Sequence, residues 1–306
     1  MFVAHNDEMA ESEQWPSLPL NEWEDTYQTL HMWTEIVGKV RLELAPYQNH
    51  WWQTALYVNT RGLTTSPIPY KGSGFEILFD FIHHRLEVLT SDGVQGSLAL
   101  GAKSVAAFYR EFFSLLREAG IEMKINPTPQ EVPDRTPLDK DENHRAYDPE
   151  YANRCWRILL SVTLVLQEFR GRFIGKCSPV HFFWGSFDLA CTRFSGRPAP
   201  PRQGVISSEG YSHECSSVGW WPGGGDVKGP AFYAYFAAEP VAYGAQPVRP
   251  KKAFYDDKLH EFLLMYDDVR QTKSPRDEIL EFAQSTYETG ASLAAWDRAA
   301  LERNPS

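Results

Sequence analysis

The longest helical pattern in the sequence runs from Asn21 to Leu44. Large, mostly apolar residues recur there at spacings of three and four, the period of an amphipathic helix; they are Trp23, Tyr27, Leu30, Thr34, Val37, Val40 and Leu44. Asn21 and Glu24 form a capping-box pattern at its start, and Pro46 ends it. A helix of this length must bury its apolar face on another layer, so it constrains the fold more than any other segment.

Further helices and strands follow from the same periodicities. A second long helix is predicted to begin at Asp148-Pro149, and its segment Cys155–Leu166 is apolar on nearly every side. Shorter helices are predicted after Ser104 and after Ser274-Pro275. Strands are expected at 50–58, at 121–125, across 176–197, and where Phe75, Ile77, Phe79 and Phe81 alternate with other residues. We therefore predict an α+β fold, with antiparallel or mixed sheets and long helices packed on them.

The two parts of the sequence resemble each other. His50-Trp51-Trp52 and His181-Phe182-Phe183 each follow a long helical pattern, and each is expected to begin a strand. This predicts two related α-β-α halves from an internal duplication, with a pocket where the two histidine-bearing strands meet. The predicted organisation is a flexible segment over residues 1–20, a first half over 21–125, a linker rich in proline and acidic residues over 126–147, and a second half over 148–306.

Charge and cysteine content restrict the possible partners. The formal net charge of −10 disfavours nucleic acid, because phosphate binding needs a basic surface. The longest apolar run falls far short of the ~20 residues of a membrane-spanning helix. Four cysteines without a C-x-x-C pair favour a reducing compartment and inert thiols. A cytoplasmic, soluble protein is therefore expected; the sequence does not indicate its oligomeric state.

The candidate catalytic residues concentrate in and after the segment Lys176–Arg197. They are His181, Asp188, His213 and Glu214. A histidine would act as a general base or a metal ligand. His181, His213 and Glu214 would suffice for a two-histidine, one-carboxylate site, so a single transition metal is possible, although their spacing is not the usual one. The cofactor is otherwise unknown, and Asp188 has the alternative role of pairing with an arginine in the structure.

The candidate ligand-binding residues come from three places. His50 and Trp52 belong to the first half, Trp184 and Arg193 to the second, and His31 and Glu35 to a polar stripe on the first helix. An arginine would orient an anionic substrate beside aromatic walls. Solvated polar groups on the helix and a structural core of aromatics are the alternative interpretations. Cys177 lies near basic residues that could lower its pKa, but an inert buried thiol is favoured.

Five blocks of the sequence resemble those of a bacterial family of unassigned function. The blocks are Trp15-Pro-Ser-Leu-Pro19, Asn49-His-Trp-Trp52, Arg61-Gly-Leu-Thr-Thr-Ser-Pro67, Lys176–Arg197 and Trp221-Pro-Gly-Gly-Gly225. The resemblance covers nearly the whole chain and implies one integrated protein rather than two independent domains. It implies no activity, cofactor or substrate.

Two classes of function fit these observations. The leading hypothesis is an enzyme or a binding protein for a small anionic or aromatic molecule, held in a pocket of histidine, arginine and aromatic residues between the halves. One version of this hypothesis includes a metal that assists the protein. The sequence does not decide whether the protein is an enzyme. The competing hypothesis is a non-enzymatic interaction protein, whose aromatics form a core and whose acidic surface meets a basic partner.

Overall fold

Long helices and two antiparallel sheets make up most of residues 14–303, the part of the chain that the computed structural model describes. This confirms the predicted α+β class. The chain divides into two compact units. We call Asn21–Trp156 together with His181–Asp188 the N-terminal unit, and Met1–Leu20, Arg157–Val180 and Leu189–Ser306 the C-terminal unit. The predicted boundaries at 21–125, 126–147 and 148–306 stay a prediction.

The N-terminal unit is built from α1 (Leu20–Leu44), a sheet and α2 (Val105–Glu118). Its strands are β1 (Tyr57–Val58), β2 (Gly62–Thr64), β3 (Ile68–Tyr70), β4 (Ser73–Asp80), β5 (Arg85–Thr90) and β6 (Gln95–Ala99). Their order is β1-β2-β4-β5-β6, and β3 also pairs with β4. Phe75, Ile77 and Phe79 of β4 are buried as predicted, but Leu78 and Asp80 are buried too, so β4 does not alternate along its whole length. The Ser104 side chain caps α2 by accepting a hydrogen bond from the backbone N–H of Ala107.

The long helix α3 (Pro149–Gly171) begins in the N-terminal unit and continues into the C-terminal unit. The strands after it are β7 (His181–Phe183), β8 (Asp188–Pro198), β9 (His213–Trp221), β10 (Ala231–Ala237), β11 (Phe254–Asp256) and β12 (Glu261–Met265). The helices are α4 (Val205–Gly210), α5 (Tyr266–Arg270), α6 (Pro275–Leu293) and α7 (Arg298–Leu301). In the C-terminal unit the sheet order is β11-β12-β10-β9-β8, and α6 packs on β9 and β10. The Ser274 cap and Pro275 begin α6 as predicted.

The predicted flexible segment 1–20 lies partly outside the described residues. Within them, the Trp15 and Leu18 side chains are buried, and the Tyr266 hydroxyl donates a hydrogen bond of 2.9 Å to the Pro16 carbonyl. These residues therefore belong to the packed part of the C-terminal unit.

The strand predicted over 50–58 is wrong for its first half. Residues Asn49–Thr54 form 3₁₀ turns, in which His50 and Trp51 have φ values of 59° and 61°. A strand needs negative φ, so the backbone cannot be extended there. His181, by contrast, does begin a strand. The proposed equivalence of two histidine-bearing strands therefore fails at His50, and the internal duplication stays a prediction.

Two further strand predictions need correction. Residues 121–125 form no strand: Ile121 and Ile125 are buried, but no neighbouring strand pairs with them in the described part of the chain. The single strand predicted across 176–197 is divided into β7 and β8 by a turn at residues 184–187. Within residues 14–303, no helix combines the length and the apolar composition needed to cross a membrane.

The contact between Gly38 and Trp184 gives a test of the N-terminal unit. A Cβ at Gly38 would stand 2.2 Å from the Trp184 ring, which is buried and whose Nε1 donates to the Thr54 carbonyl at 2.8 Å. We expect Gly38→Ala to lower the free energy of unfolding by about 1–3 kcal/mol, because overpacking outweighs the gain of about 1 kcal/mol in helix propensity. Urea titration measures the change.

Gly101→Ala is the matched control. No heavy atom lies within 4 Å of its added Cβ. Its free energy of unfolding should change by less than about 0.5 kcal/mol. Equal stabilities for the two variants would contradict the packing of Trp184 against α1.

Candidate functional site

Five side chains of the N-terminal unit form the group that we call the Arg41 cluster: Arg41, His50, Trp52, Tyr57 and His181. Ring centroids are 5.2 Å apart for His50 and Trp52, 5.5 Å for Trp52 and His181, and 5.6 Å for Tyr57 and His181. The Arg41 guanidinium lies 5.4 Å from the centre of the Tyr57 ring. The structure thus brings together three of the residues that the sequence nominated.

A short backbone pairing places His181 beside Tyr57. Leu56 and Phe182 form an antiparallel bridge, and each backbone N–H donates to the carbonyl of the other at 2.9 Å. His181 precedes Phe182 and Tyr57 follows Leu56, so the antiparallel directions make these two side chains neighbours. The position of His181 therefore depends on residues more than a hundred positions earlier in the chain.

Arg41 is the buried cation of the cluster. It is 6% exposed, its Nε donates to the Gln53 carbonyl at 2.8 Å, and its Nη1 is buried without a hydrogen-bond partner. Burial lowers the pKa of Arg41 and raises that of Tyr57, so the phenol stays protonated. Within residues 14–303, no carboxylate forms an ion pair with Arg41. Trp52 and Tyr57 remain partly exposed above it.

A second group of polar residues lies on α1 and consists of His31, Glu35 and Lys39. The His31 Nε2 donates to the Gly185 carbonyl at 3.0 Å, and burial lowers the pKa of His31 to about 4. The neutral imidazole therefore fits its surroundings. Of the predicted polar stripe on α1, His31 and Glu35 are buried, whereas Glu24 and Gln28 are exposed. The alternative interpretation as a solvated flank is therefore wrong for His31 and Glu35.

Glu35 is the most perturbed carboxyl group of this stripe. Both of its oxygens lie 2.9 Å from the backbone N–H of Gln130, and Oε2 lies 3.9 Å from the Lys39 Nζ. Lys39 in turn donates to the Thr128 carbonyl at 2.9 Å and lies 5.5 Å from the Trp184 ring. Burial raises the pKa of Glu35 to about 7, against the opposing effects of these partners. Its carboxyl group therefore titrates near neutral pH.

Asp188 has its own partner. It is 8% exposed and accepts a hydrogen bond of 2.5 Å from the Ser186 hydroxyl, at the end of the turn between β7 and β8. Phe187 within that turn has a φ of 54° and packs edge-on against Tyr27. The turn therefore holds Asp188 in a local hydrogen bond, and its predicted catalytic role stays a prediction.

The remaining predicted site residues belong to the C-terminal unit. Glu214 accepts hydrogen bonds from the Ser195 hydroxyl at 3.0 Å and from the Arg197 Nε at 2.8 Å. His213 lies 3.0 Å from the Ser212 hydroxyl through Nδ1. His213 and Glu214 are successive residues of β9, so they point to opposite faces of the strand. This arrangement does not favour a metal held jointly by them.

Arg193 lies in an aromatic environment. Its guanidinium is 3.5 Å from the centre of the Phe169 ring and 4.4 Å from that of Tyr287. Within the described part of the chain, no three His, Cys, Asp or Glu side chains are grouped so that they could hold a metal ion. The predicted single transition metal gains no support from this geometry.

Arg41 and Tyr57 are not among the site residues predicted from the sequence. A signal was present, because Lys39 and Arg41 interrupt the otherwise apolar run from Ile36 to Leu42 in a helix that must be buried. Tyr57 carried no signal beyond the predicted strand. Its closeness to His181 follows from the bridge between Leu56 and Phe182, which only the folded chain contains.

A cavity of about 270 Å³ lies in the C-terminal unit. Its lining consists of Arg172, Arg249, Asp277, Leu280, Glu281 and Gln284. The charged groups of this lining already have partners, since Arg249 pairs with Glu281 at 2.8 Å and Arg172 pairs with Glu168 at 3.0 Å. We therefore do not assign the candidate site to this cavity.

Comparison with models of known protein families identifies the family of this chain. Residues 15–303 match the model of a family of unknown function, DUF5996. The chain belongs to this family. No significant similarity links it to a curated protein or to a solved structure. Membership of the DUF5996 family confirms that the chain belongs to a family of unknown function, and it transfers no residue role to the Arg41 cluster.

The elevated pKa of Glu35 predicts a pH-dependent stability. The folded-state pKa of about 7 lies above the ordinary 4.5, so the folded state holds the proton more tightly. The stabilisation is complete below the unfolded pKa and is lost as the pH rises through the folded one. We expect the stability of the wild type, relative to Glu35→Gln, to fall by about 2–3 kcal/mol between about pH 5 and about pH 8.

Urea titrations of both proteins across this range provide the measurement. Taking the difference between the wild type and Glu35→Gln cancels the contribution of His31. That contribution lowers the stability of both proteins as the pH falls, because the folded state disfavours protonation of His31. Glu43→Gln removes a carboxylate from an exposed position on the same helix and sets the baseline for the change in net charge. Parallel profiles for the wild type and Glu35→Gln would contradict the assignment.

Proposed function

We propose that the protein binds a small anionic molecule with a flat, aromatic portion at the Arg41 cluster. The observation that carries the proposal is the buried Arg41 guanidinium with an unpartnered Nη1 and no carboxylate beside it within the described residues. Removing a charged group from water costs several kcal/mol unless a counter-charge compensates for it. A carboxylate of a ligand would supply that charge and accept the unused N–H.

The rings around Arg41 support the aromatic part of the ligand. Trp52 and Tyr57 are partly exposed, and both rings pack in a tilted arrangement against the buried His181 ring. Flat ligands stack on such rings, and each aromatic contact contributes ~1 kcal/mol beyond the area that it buries. The Tyr57 phenol is protonated and can donate a hydrogen bond to an anion. The cluster therefore combines a cation, a donor and apolar faces, as small-molecule sites do.

The local backbone also supports a binding role. His50 and Trp51 both lie in the left-handed region, at φ values of 59° and 61°. Non-glycine residues in this region each cost ~1 kcal/mol or more, and such strain concentrates at functional sites. Here the strained pair presents His50 and Trp52 to the cluster. The proposal concerns binding, and no side chain is assigned to a reaction step.

Thermal-shift and calorimetric titration with benzoate test this proposal. Benzoate should raise the thermal midpoint of the wild type, whereas benzamide, a neutral molecule of the same shape, should not. In Arg41→Met the affinity for benzoate should fall at least about tenfold, which is about 1.4 kcal/mol. The free variant should remain folded, because replacing a buried cation by an apolar side chain of similar length is often neutral.

Two further variants test separately the charge and the ring contacts of the site. Arg110→Met removes the same charge from an arginine of the N-terminal unit whose side chain is 63% exposed, and it should leave benzoate binding unchanged. Trp52→Leu should weaken benzoate binding more than acetate binding, because acetate has no ring to stack. If neither acid stabilises the wild type, or if Arg41→Met binds benzoate as the wild type does, the proposal is overturned.

A further inference from the structure

Two thiols of the C-terminal unit lie side by side, outside the Arg41 cluster. Cys177 and Cys191 are both reduced, and their Sγ atoms are 3.8 Å apart. A disulfide bond has a length of ~2.0 Å, so the sulfur atoms must approach by about 1.8 Å to form one. Side-chain rotation supplies displacements of this size. We call Cys177 and Cys191 the thiol pair.

Backbone pairing holds the two thiols on the same surface. The segment 176–178 runs antiparallel to β8, with the Ser178 N–H donating to the Thr192 carbonyl at 2.8 Å. Cys177 lies directly opposite Arg193 in this pairing. Cys191 is two residues from Arg193 along β8, and residues two apart share a face. The two thiols and the guanidinium are therefore neighbours on one face of the strand.

Arg193 is a buried cation on which the Glu302 carboxylate acts electrostatically without forming an ion pair. It is 0% exposed, its Nη2 donates to the Phe169 carbonyl, and its Nε and Nη1 have no hydrogen-bond partner. Its other neighbours are the ring faces of Phe169, Tyr287 and Phe173. Within residues 14–303, no carboxylate forms an ion pair with it. A thiolate next to Arg193 would supply the missing negative charge.

The surroundings distinguish the two sulfur atoms. The pKa of the Cys177 thiol lies below its ordinary value, chiefly because of its hydrogen bond with Cys191 and further because Arg193 and Arg170 favour the thiolate, while burial acts in the opposite direction. The pKa of Cys191 lies well above its ordinary value, because of the same hydrogen bond and because it is buried. Cys177 is also partly exposed, whereas Cys191 is 0% exposed. Cys177 is thus the nucleophile, and Cys191 is the thiol that can react with it afterwards.

The geometry points to a redox-active dithiol, in which Cys177 reduces a small hydroperoxide and Cys191 completes a disulfide. The Cys177 thiolate attacks one peroxide oxygen, the O–O bond breaks, and the departing oxygen takes up a proton and leaves as water or an alcohol. Cys177 is then a sulfenic acid. The Cys191 sulfur attacks the Cys177 sulfur, the S–O bond breaks, and the hydroxide leaves as water with the proton of Cys191. The two thiols supply the two electrons that reduce the peroxide.

The burial of the thiol pair limits the size of the oxidant that can reach Cys177. Only Cys177 is partly exposed, and bulky disulfide reagents need more room around the sulfur than hydrogen peroxide does. Cys155 and Cys215 are both buried, and burial raises the pKa of each thiol, so neither competes as a thiolate. The reaction should therefore be confined to the thiol pair. This inference is independent of the ligand proposed for the Arg41 cluster, which lies in the other unit.

Peroxide treatment of the reduced, full-length protein tests the inference. Thiol titration after denaturation should show the four thiols of the chain falling to two. Trypsin cleaves after Lys176 and Arg193, so both members of the thiol pair appear on one peptide. This peptide should become lighter by two hydrogen atoms and should resist alkylation until it is reduced.

Cysteine variants separate the two steps. Cys191→Ser should give a dimedone-reactive sulfenic acid at Cys177 and no disulfide, whereas Cys177→Ser should keep its remaining thiols reduced. Replacing both Cys155 and Cys215 by serine should leave the oxidation of the pair unchanged. Circular dichroism checks that each variant is folded. Retention of all four wild-type thiols, or a disulfide that involves Cys155 or Cys215, overturns the inference.

Arginine variants test the origin of the reactivity. Arg193→Met should slow the oxidation of Cys177 at least about tenfold, and it should move the pH profile of Cys177 alkylation by iodoacetamide upward. Because Arg193 is buried, the exposed Arg170 provides a second variant that is easier to fold. Arg170→Met should shift the profile in the same direction, whereas Arg172→Met, two residues along the chain and also exposed, should not. An unchanged profile in both Arg193→Met and Arg170→Met overturns the proposed role of the cations.

Discussion

Burying a guanidinium without a carboxylate beside it is costly, and each unit of this protein does so. Arg41 is 6% exposed and Arg193 is 0% exposed. Each donates to one backbone carbonyl, at Gln53 and Phe169 respectively, and each lies against aromatic faces. Cation–π contacts contribute about 0.5–2 kcal/mol, which is less than the several kcal/mol needed to desolvate the charge. The uncompensated remainder makes each site a place where an anion is stabilised.

The two arginines differ in the anion that each can use. The Tyr57 phenol beside Arg41 stays protonated, so in the proposed function a bound anion supplies the negative charge. Arg193 has the thiol pair as its neighbour, and a thiolate at Cys177 serves as an internal anion. The same cost of desolvation therefore supports a ligand site in one unit and a reactive thiol in the other. The DUF5996 match at 15–303 includes both.

The sequence predicted correctly the elements that local interactions determine, and it failed where distant parts of the chain determine the conformation. Helix α2 after Ser104 and helix α6 after Ser274-Pro275 were predictable, because capping signals and apolar periodicity act within a few residues. His50 was placed wrongly in a strand. Its aromatic neighbours have high strand propensity, but that propensity depends on context, and the positive φ is set by the surrounding structure. Glu35 was nominated as a ligand-binding residue on α1, which stays a prediction, and its complete burial was not visible in the sequence.

By itself the sequence determined the α+β class, the long helices and the burial of Phe75, Ile77 and Phe79 in β4, because these depend on local periodicity. Only the tertiary structure decided which charges lost their water and which side chains became neighbours. Cys177 meets Cys191 through the pairing of segment 176–178 with β8, and His181 meets Tyr57 through a single backbone bridge. Such contacts depend on strand register and on burial, which join residues far apart in the chain and leave no local pattern to read.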